Sequence, residues 1–166
     1  MGRKYPPKFL QLMNLSIISV GNKPNKWELE GIDHYLKQLN NYVKIDIINI
    51  KGQQNPKRSI EEVIKLEANL ILKKIPSDSY LISCDISGER VSSSEFSKIF
   101  DNLMQKYTKV CFVIGGSFGL SEEIKLLSNK VLSASNFTFP HRLFRIILVE
   151  QIYRAISIKN NAPYHK

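Results

Sequence analysis

The chain has 166 residues, a length that fits a single domain of ordinary size. Hydrophobic residues make up 43% of it, but no apolar run approaches the ~20 residues that a membrane helix needs, which excludes a membrane-spanning helical protein. The net charge of +9 favours a polyanionic partner such as nucleic acid, because lysine and arginine release counterions from phosphates. Solubility alone is the other interpretation of this charge.

The first twelve residues differ from the rest of the chain. They contain three basic residues and a Pro-Pro pair without a periodic pattern, so we predict a flexible extension over 1–12. Residues 13–166 are expected to form one domain. No apolar signal region precedes it, which predicts a cytoplasmic location.

Only two cysteines occur, Cys84 and Cys111, and both lie in apolar stretches. A disulfide framework or a metal site needs more ligands at closer spacing. We therefore interpret both as small buried core residues and expect no metal.

Short apolar runs alternate with longer amphipathic runs along the chain. In chain order, the pattern predicts a strand over 15–20, a helix over 26–39, a strand over 43–50 and a helix over 59–75. There follow a strand over 80–86, a helix over 92–107, a strand over 110–114, a short helix from Ser121, a strand over 131–133 and a helix over 142–159. Ser92 and Glu95 form a capping-box pattern. Five strands, each followed by a helix, predict a single-domain α/β protein with a mostly parallel sheet flanked by helices.

Ligands of open α/β sheets bind outside the carboxyl ends of the strands. That rule selects three loops as candidate binding segments: 85–90, 115–121 and 133–141.

The second loop is rich in glycine and begins at Gly115. Its spacing is not the G-x-G-x-x-G of a dinucleotide site, and no acidic residue lies about twenty positions on to hold a ribose. A nicotinamide site is therefore a poor interpretation. Two interpretations stay open: the glycines form a turn that is required only for packing, or they allow a ligand to approach the backbone closely.

The third loop is small and polar before it becomes aromatic, and it can surround a neutral heterocycle with backbone groups. Its residues include Ala134, Ser135, Asn136, Phe137, Thr138 and Phe139. His141 follows near the start of the last helix, where the helix dipole disfavours the imidazolium form. It could accept a proton or merely cap the helix.

The last helix carries Arg145, Glu150 and Arg154 among apolar residues. An arginine in such a helix is usually solvated, or paired with an acid one turn away as Glu150 and Arg154 could be. The chain then ends in Tyr164, His165 and Lys166, which would ordinarily be a frayed terminus.

Several segments resemble the ribosomal RNA large subunit methyltransferase H family, within the knotted SPOUT superfamily. They are MNLSIISVGNK, CDISGERVSSSEF, VIGGSFGLSEEI, SASNFTFPHRLFRIILVEQIYRAISI and NNAPYHK. The resemblance runs from about Met13 to the end of the chain. It implies a homodimer with a C-terminal trefoil knot, which methylates N3 of a pseudouridine in large-subunit rRNA with S-adenosylmethionine, on assembled ribosomes.

The resemblance also implies site residues. The cofactor pocket would involve Cys84, as an apolar contact, together with Gly115 and the span 134–139. Around the reacting base it places His141, Arg154, Tyr164 and His165. We hypothesise that Tyr164 or His165 positions or deprotonates the base and that Arg154 binds phosphate or developing charge. His141 would support the pocket.

Two features depart from the family pattern: Phe118 in the glycine loop, and the extension over 1–12. Three alternatives remain beside the main interpretation. They are a ribosome-associated protein without activity, a knotted methyltransferase acting on tRNA, and a nucleotide-dependent oxidoreductase. The intact Arg154 and Tyr164, the lack of a separate tRNA-binding domain and the missing ribose-binding acid argue against these in turn.

Overall fold

A computed structural model describes residues 12–164 of the chain. In chain order, its strands and helices are β1 (Met13–Val20), α1 (Lys26–Leu39), β2 (Val43–Ile50), α2 (Ile60–Leu72), β3 (Tyr80–Arg90), α3 (Ser93–Lys106), β4 (Lys109–Ile114), α4 (Glu122–Leu127), β5 (Lys130–Ser133) and α5 (His141–Lys159). The predicted alternation of five strands with five helices is confirmed. Apart from Leu12, the predicted extension lies outside the described residues, as does His165.

The five strands form one sheet in the order β2-β1-β4-β3-β5, and every neighbouring pair is parallel. The predicted parallel sheet is therefore confirmed. The central strands β1 and β4 are the most deeply buried, with Ile17, Ile18, Phe112 and Val113 fully inaccessible. Because all strands run the same way, the loops that follow them open at one edge of the sheet, where ligands of such folds bind.

The two faces of the sheet are covered by different helices. Leu15, Phe100 and Ile152 belong to the core on the side of α1, α3 and α5. Ile18 and Ile124 belong to the core on the side of α2 and α4. Within residues 12–164, none of these helices has the length and apolar character needed to cross a bilayer.

Local sequence signals fix where the helices begin. The Ser92 hydroxyl accepts a hydrogen bond from Glu95 N at 3.2 Å, and the Glu95 carboxylate accepts one from Ser92 N at 2.7 Å. This is the predicted capping box, and Ser59 with Glu62 repeats it at the start of α2. Each box satisfies backbone N–H groups that the first turn of a helix leaves free.

Strand β3 is longer than predicted and corrects the interpretation of 85–90 as a loop. Its register against β5 shifts after Cys84, and pairing then resumes as far as Arg90. A Cβ on Gly88 would stand 2.7 Å from the backbone of Val131, so glycine lets the second half of β3 pack closely on β5. The strand thus continues past the site where a turn was expected.

Candidate functional site

A cavity of about 390 Å³ opens at the carboxyl edge of the sheet, between the ends of β3 and β5, the start of α3 and the middle of α5. Much of its wall is apolar, including Phe96, Phe112, Phe144, Ile147 and Leu148. Polar side chains reach it from Ser92, Ser93, Ser135 and Gln151. This size and an apolar lining with few polar groups are typical of small-molecule sites.

The loop after β5 forms one side of this cavity. Three of the residues that the resemblance assigns to the cofactor line the cavity: Ala134, Ser135 and Phe139. The loop orders itself, because the Ser133 hydroxyl donates to Ser135 O at 3.3 Å and Phe137 N donates to the Ser135 hydroxyl at 2.9 Å. A ligand in the cavity would therefore meet a pre-formed wall.

The remaining residues of the span 134–139 lie outside the main cavity. Asn136 borders a shallower depression of about 310 Å³ beside it, which also touches Arg90. Phe137 is 78% exposed, and Thr138 is also exposed. Neither of these two lines the cavity or the depression.

Cys84 stands at the point where β3 changes register, and its side chain lines the cavity. It is only partly buried, unlike Cys111, so the expectation that both cysteines are core residues is right for Cys111 alone. Burial raises the pKa of the Cys84 thiol to about 12, and the Asp85 carboxylate contributes to the rise. The thiol is thus protonated near neutral pH and offers an apolar contact rather than a nucleophile.

The glycine loop after β4 is explained by packing. A Cβ on Gly115 would stand 2.7 Å from the backbone of Gly119, and Gly119 itself has φ of +79°. Gly119 N donates to Gly116 O at 3.1 Å, which closes the turn. Gly115 does not line the cavity. Its close approach to Gly119 therefore explains why a glycine stands at this position without a contact to a ligand.

A chain of hydrogen bonds leads from the cavity to Arg154 and Tyr164. The Ser93 hydroxyl donates to Gln151 Oε1 at 2.7 Å, and Gln151 Nε2 donates to Glu150 Oε2 at 2.7 Å. Glu150 Oε1 accepts from Arg154 Nε at 2.9 Å and from the Tyr164 hydroxyl at 3.1 Å. Two of the predicted base-contacting residues are thus held by one carboxylate, which is tied through Gln151 to the cavity wall.

The Tyr164 ring is held on three sides. It lies edge-on to Tyr153 with centroids 4.7 Å apart, and the Arg154 guanidinium carbon stands 5.0 Å from its centroid. Its hydroxyl lies 3.5 Å from that of Tyr35. Burial raises the pKa of Tyr164, and hydrogen bonds to Tyr35 and Glu150 raise it further, so the phenol keeps its proton near neutral pH. The expectation of a frayed terminus does not hold for this residue.

His141 lies away from this group. It begins α5, and its ring lies where a Cβ on Gly21, after β1, would stand. Burial lowers its pKa, and the cations of Arg145 and Arg142 lower it further. The predicted neutral form is therefore favoured, chiefly by burial. Along α5 it stands roughly 20 Å from Arg154 at about 1.5 Å per residue.

Arg145 is a residue that sequence analysis misjudged. It is fully buried rather than solvated, donating from NH1 to Asn49 Oδ1 at 2.7 Å and from NH2 to Asn22 O at 3.3 Å. Glu28 is also fully buried nearby, 3.4 Å from Arg142. These partners are about a hundred residues away in sequence, so no local pattern could have indicated them.

A family model described as predicted SPOUT methyltransferase matches residues 13–165. The chain belongs to this family. Two similar proteins from Clostridium botulinum, strains Alaska E43 and Eklund 17B, are both named ribosomal RNA large subunit methyltransferase H. Each is 45% identical over 159 residues, covering 93% of this chain and all of the relative. The resemblance to the methyltransferase H family is thereby confirmed.

Two solved structures are similar in fold to this SPOUT methyltransferase. A tRNA (m1G37) methyltransferase from Aquifex aeolicus superposes with a TM-score of 0.50 at 12% identity, over 85% of this chain and 69% of its own. A probable methylase family protein from Haemophilus influenzae Rd KW20 also gives 0.50, at 16% identity, over 95% and 71%. At such low identity the likeness concerns the architecture alone.

Proposed function

We propose that this SPOUT methyltransferase transfers a methyl group from S-adenosylmethionine to N3 of a pseudouridine in large-subunit rRNA, on assembled ribosomes. The observation that carries the proposal is the apolar cavity at the strand ends, in a chain that shares its family with proteins named for that rRNA. The excess of 24 lysines and arginines over 15 acids suits an RNA substrate.

The residues of the cavity fit an adenosyl group. Its volume of about 390 Å³ falls within the range of small-molecule sites, and its aromatic and aliphatic wall offers contacts to a flat heterocycle. Ala134, Ser135 and Phe139 would hold the cofactor from the loop after β5, and Cys84 from β3. When bound, the cofactor supplies an electrophilic methyl group on a sulfonium.

The chain's own residues have to orient the base and remove its proton. N3 of the pyrimidine carries hydrogen, so a base that accepts this proton can accelerate transfer by typically ~10²–10⁴-fold. Tyr164 keeps its proton near neutral pH, which suits a hydrogen-bond donor to the pyrimidine better than a base. We therefore assign proton removal to His165 and orientation to Tyr164.

Arg154 would stabilise the negative charge that develops on the pyrimidine as the proton leaves. Its guanidinium is fixed by Glu150 and stacked on Tyr164, so little reorganisation is needed when charge appears. We assign His141 a supporting role at the start of α5. Gly115 and the exposed Asn136, Phe137 and Thr138 stay part of the proposed cofactor site on resemblance.

The proposal includes a homodimer with a C-terminal trefoil knot, acting in the cytoplasm where ribosomes are. Exposed apolar side chains on the adjoining helices α1 and α5 support the dimer: Trp27 at 50%, Leu29 at 46% and Leu143 at 39%. A molar mass of twice the chain mass, measured by light scattering, would support the dimer. A molar mass of one chain at the concentration of the activity assay would contradict it. Tracing the chain in an experimental density map would test the knot.

The decisive experiment uses methyl-labelled S-adenosylmethionine and ribosomes that lack the modification, with the label mapped by mass spectrometry. Label on a pseudouridine of large-subunit rRNA is the expected result. Label on tRNA, or no transfer by a protein that binds the cofactor, would overturn the assignment of substrate. Deleting Tyr164–Lys166 should abolish transfer and leave cofactor binding intact, whereas full turnover would contradict the roles given to the tail.

A further inference from the structure

Two loops that carry unneutralised positive charge leave the sheet side by side. Strands β1 and β2 end in register, with Val20 beside Ile50 and Gly21 N donating to Ile50 O at 2.7 Å. The loops that follow contain no acidic residue, and their cations are all exposed: Lys23, Lys51, Lys57 and Arg58. In the part of the chain that the structure describes, no ion pair involves any of these four. We call them the basic edge.

The longer of the two loops is ordered by its own hydrogen bonds. Arg58 NH1 donates to Gln53 O at 2.9 Å and to Gln53 Oε1 at 3.3 Å, and Gln53 Nε2 donates to Lys51 O at 2.8 Å. Lys57 N donates to Asn55 Oδ1 at 2.9 Å. The cations of this loop are therefore held on an ordered backbone, so binding costs less conformational entropy than it would from a flexible loop.

A buried carboxylate holds this loop on α2 and lies next to the glycine loop. Glu67, on α2, is 4% exposed, and its Oε1 accepts a hydrogen bond from Gln53 N at 2.9 Å. Its Oε2 would stand 3.0 Å from a Cβ on Gly116. Burying a carboxylate is costly, and the function described so far gives Glu67 no part. Fixing the basic edge beside the glycine loop supplies one.

We propose that the basic edge binds the phosphate backbone of the RNA whose base enters the cavity. This rests on the proposed function, which it deepens by naming the surface. In the strand order, β2 stands three steps from β3, or roughly 14 Å at about 4.8 Å per step. Both features open at the same edge of the sheet. A stem-loop with one base in the cavity then runs its backbone across the loops after β1 and β2.

The test compares two double variants that remove the same charge. Lys51→Ala with Lys57→Ala removes two of the four cations of the basic edge and spares Arg58, which orders the loop. Lys73→Ala with Lys74→Ala is the matched control, because both lysines are exposed just after α2, at the opposite end of that helix from Lys57. Equal thermal midpoints establish that both variants fold.

The readout is binding of purified large-subunit rRNA, without cofactor, between about 50 and 200 mM KCl. In the basic-edge variant, the slope of log affinity against log salt should become less steep by roughly 2, about one unit for each lysine contact removed. The slope for the control variant should stay near the wild-type value. Equal losses in the two variants would overturn the proposal and show that the charge acts only in bulk.

Binding is separable from methyl transfer, so the two proposals fail in different ways. A wild-type chain that binds RNA through the basic edge but transfers no methyl group would refute the proposed function and leave this surface standing. If the wild-type chain methylates rRNA but the two double variants bind RNA equally well, the proposed function stands and the basic edge is refuted as the RNA-binding surface.

Discussion

Glu150 is the residue whose charge we expect to matter most outside the atoms that touch the base. Its carboxylate accepts four hydrogen bonds: from Arg154 Nε and NH2 at 2.9 and 2.5 Å, from the Tyr164 hydroxyl at 3.1 Å and from Gln151 Nε2 at 2.7 Å. Glutamine at this position has a single acceptor oxygen. In either orientation, its amide NH₂ group would face at least one of these donors.

The size of the effect follows from these bonds. A typical hydrogen bond contributes about 1 kcal/mol, and bonds to a charged group are roughly twice as strong as neutral ones. Glu150→Gln should therefore weaken the hold on Arg154 and Tyr164 by roughly 1–2 kcal/mol. If that loss appears in the transition state, the rate of methyl transfer falls about 5–30-fold.

Single-turnover transfer to ribosomes measures this rate, with cofactor affinity and thermal midpoint measured beside it. Glu30→Gln is the matched control, because Glu30 makes the same type of i,i+4 ion pair with Lys26, at 3.8 Å, with both side chains exposed. The control should behave as wild type. A Glu150→Gln variant with the wild-type rate, or one that loses cofactor affinity and stability in the same proportion, would refute the reasoning.

Three further predictions concern groups that are buried or partly buried. Arg145→Met removes the hydrogen bonds that its fully buried guanidinium donates to Asn49 Oδ1 and Asn22 O and should cost about 1.5–3 kcal/mol of unfolding free energy, whereas Lys26→Met, at the exposed pair with Glu30, should cost about 0–1 kcal/mol; equal urea midpoints would contradict this. His141 has a pKa below its ordinary 6.5, so the unfolded chain binds more protons and stability should fall as pH drops through 6.5. His141→Gln should flatten that fall in urea titrations, and an unchanged slope would argue against it. Because burial raises the thiol pKa of Cys84 and Cys111 to about 12, neither should react with iodoacetamide at about pH 8 in the folded protein; rapid mass gain without denaturant would show otherwise.

The fold could be predicted from the sequence because its signals are local. Period-two and helical spacings set the elements, and capping residues such as Ser92 set their starts. The exception is β3, where Gly88 looks like a turn but allows close packing on β5. A glycine has the same local appearance in either role, and only the approaching strand distinguishes them.

The candidate site was predictable in part. The rule for strand ends selected the loop that holds Ala134, Ser135 and Phe139, and the cavity lies there. The pairing of Glu150 with Arg154 one turn away was among the sequence-based interpretations and is confirmed, but the links of Glu150 to Gln151 and Tyr164 were not predictable. They depend on Ser93 of α3 and Tyr164 of the tail meeting α5, contacts between residues far apart in the chain.

The sequence by itself determined the class of fold, the order of its elements and, through its motifs, the family. Those properties depend on the residue types and their spacing along the chain. Only the tertiary structure decided which charges are buried, as at Arg145 and Glu67, and which predicted site residues meet. It joined Arg154 to Tyr164 and set His141 apart, because burial and contact depend on which distant segments pack together.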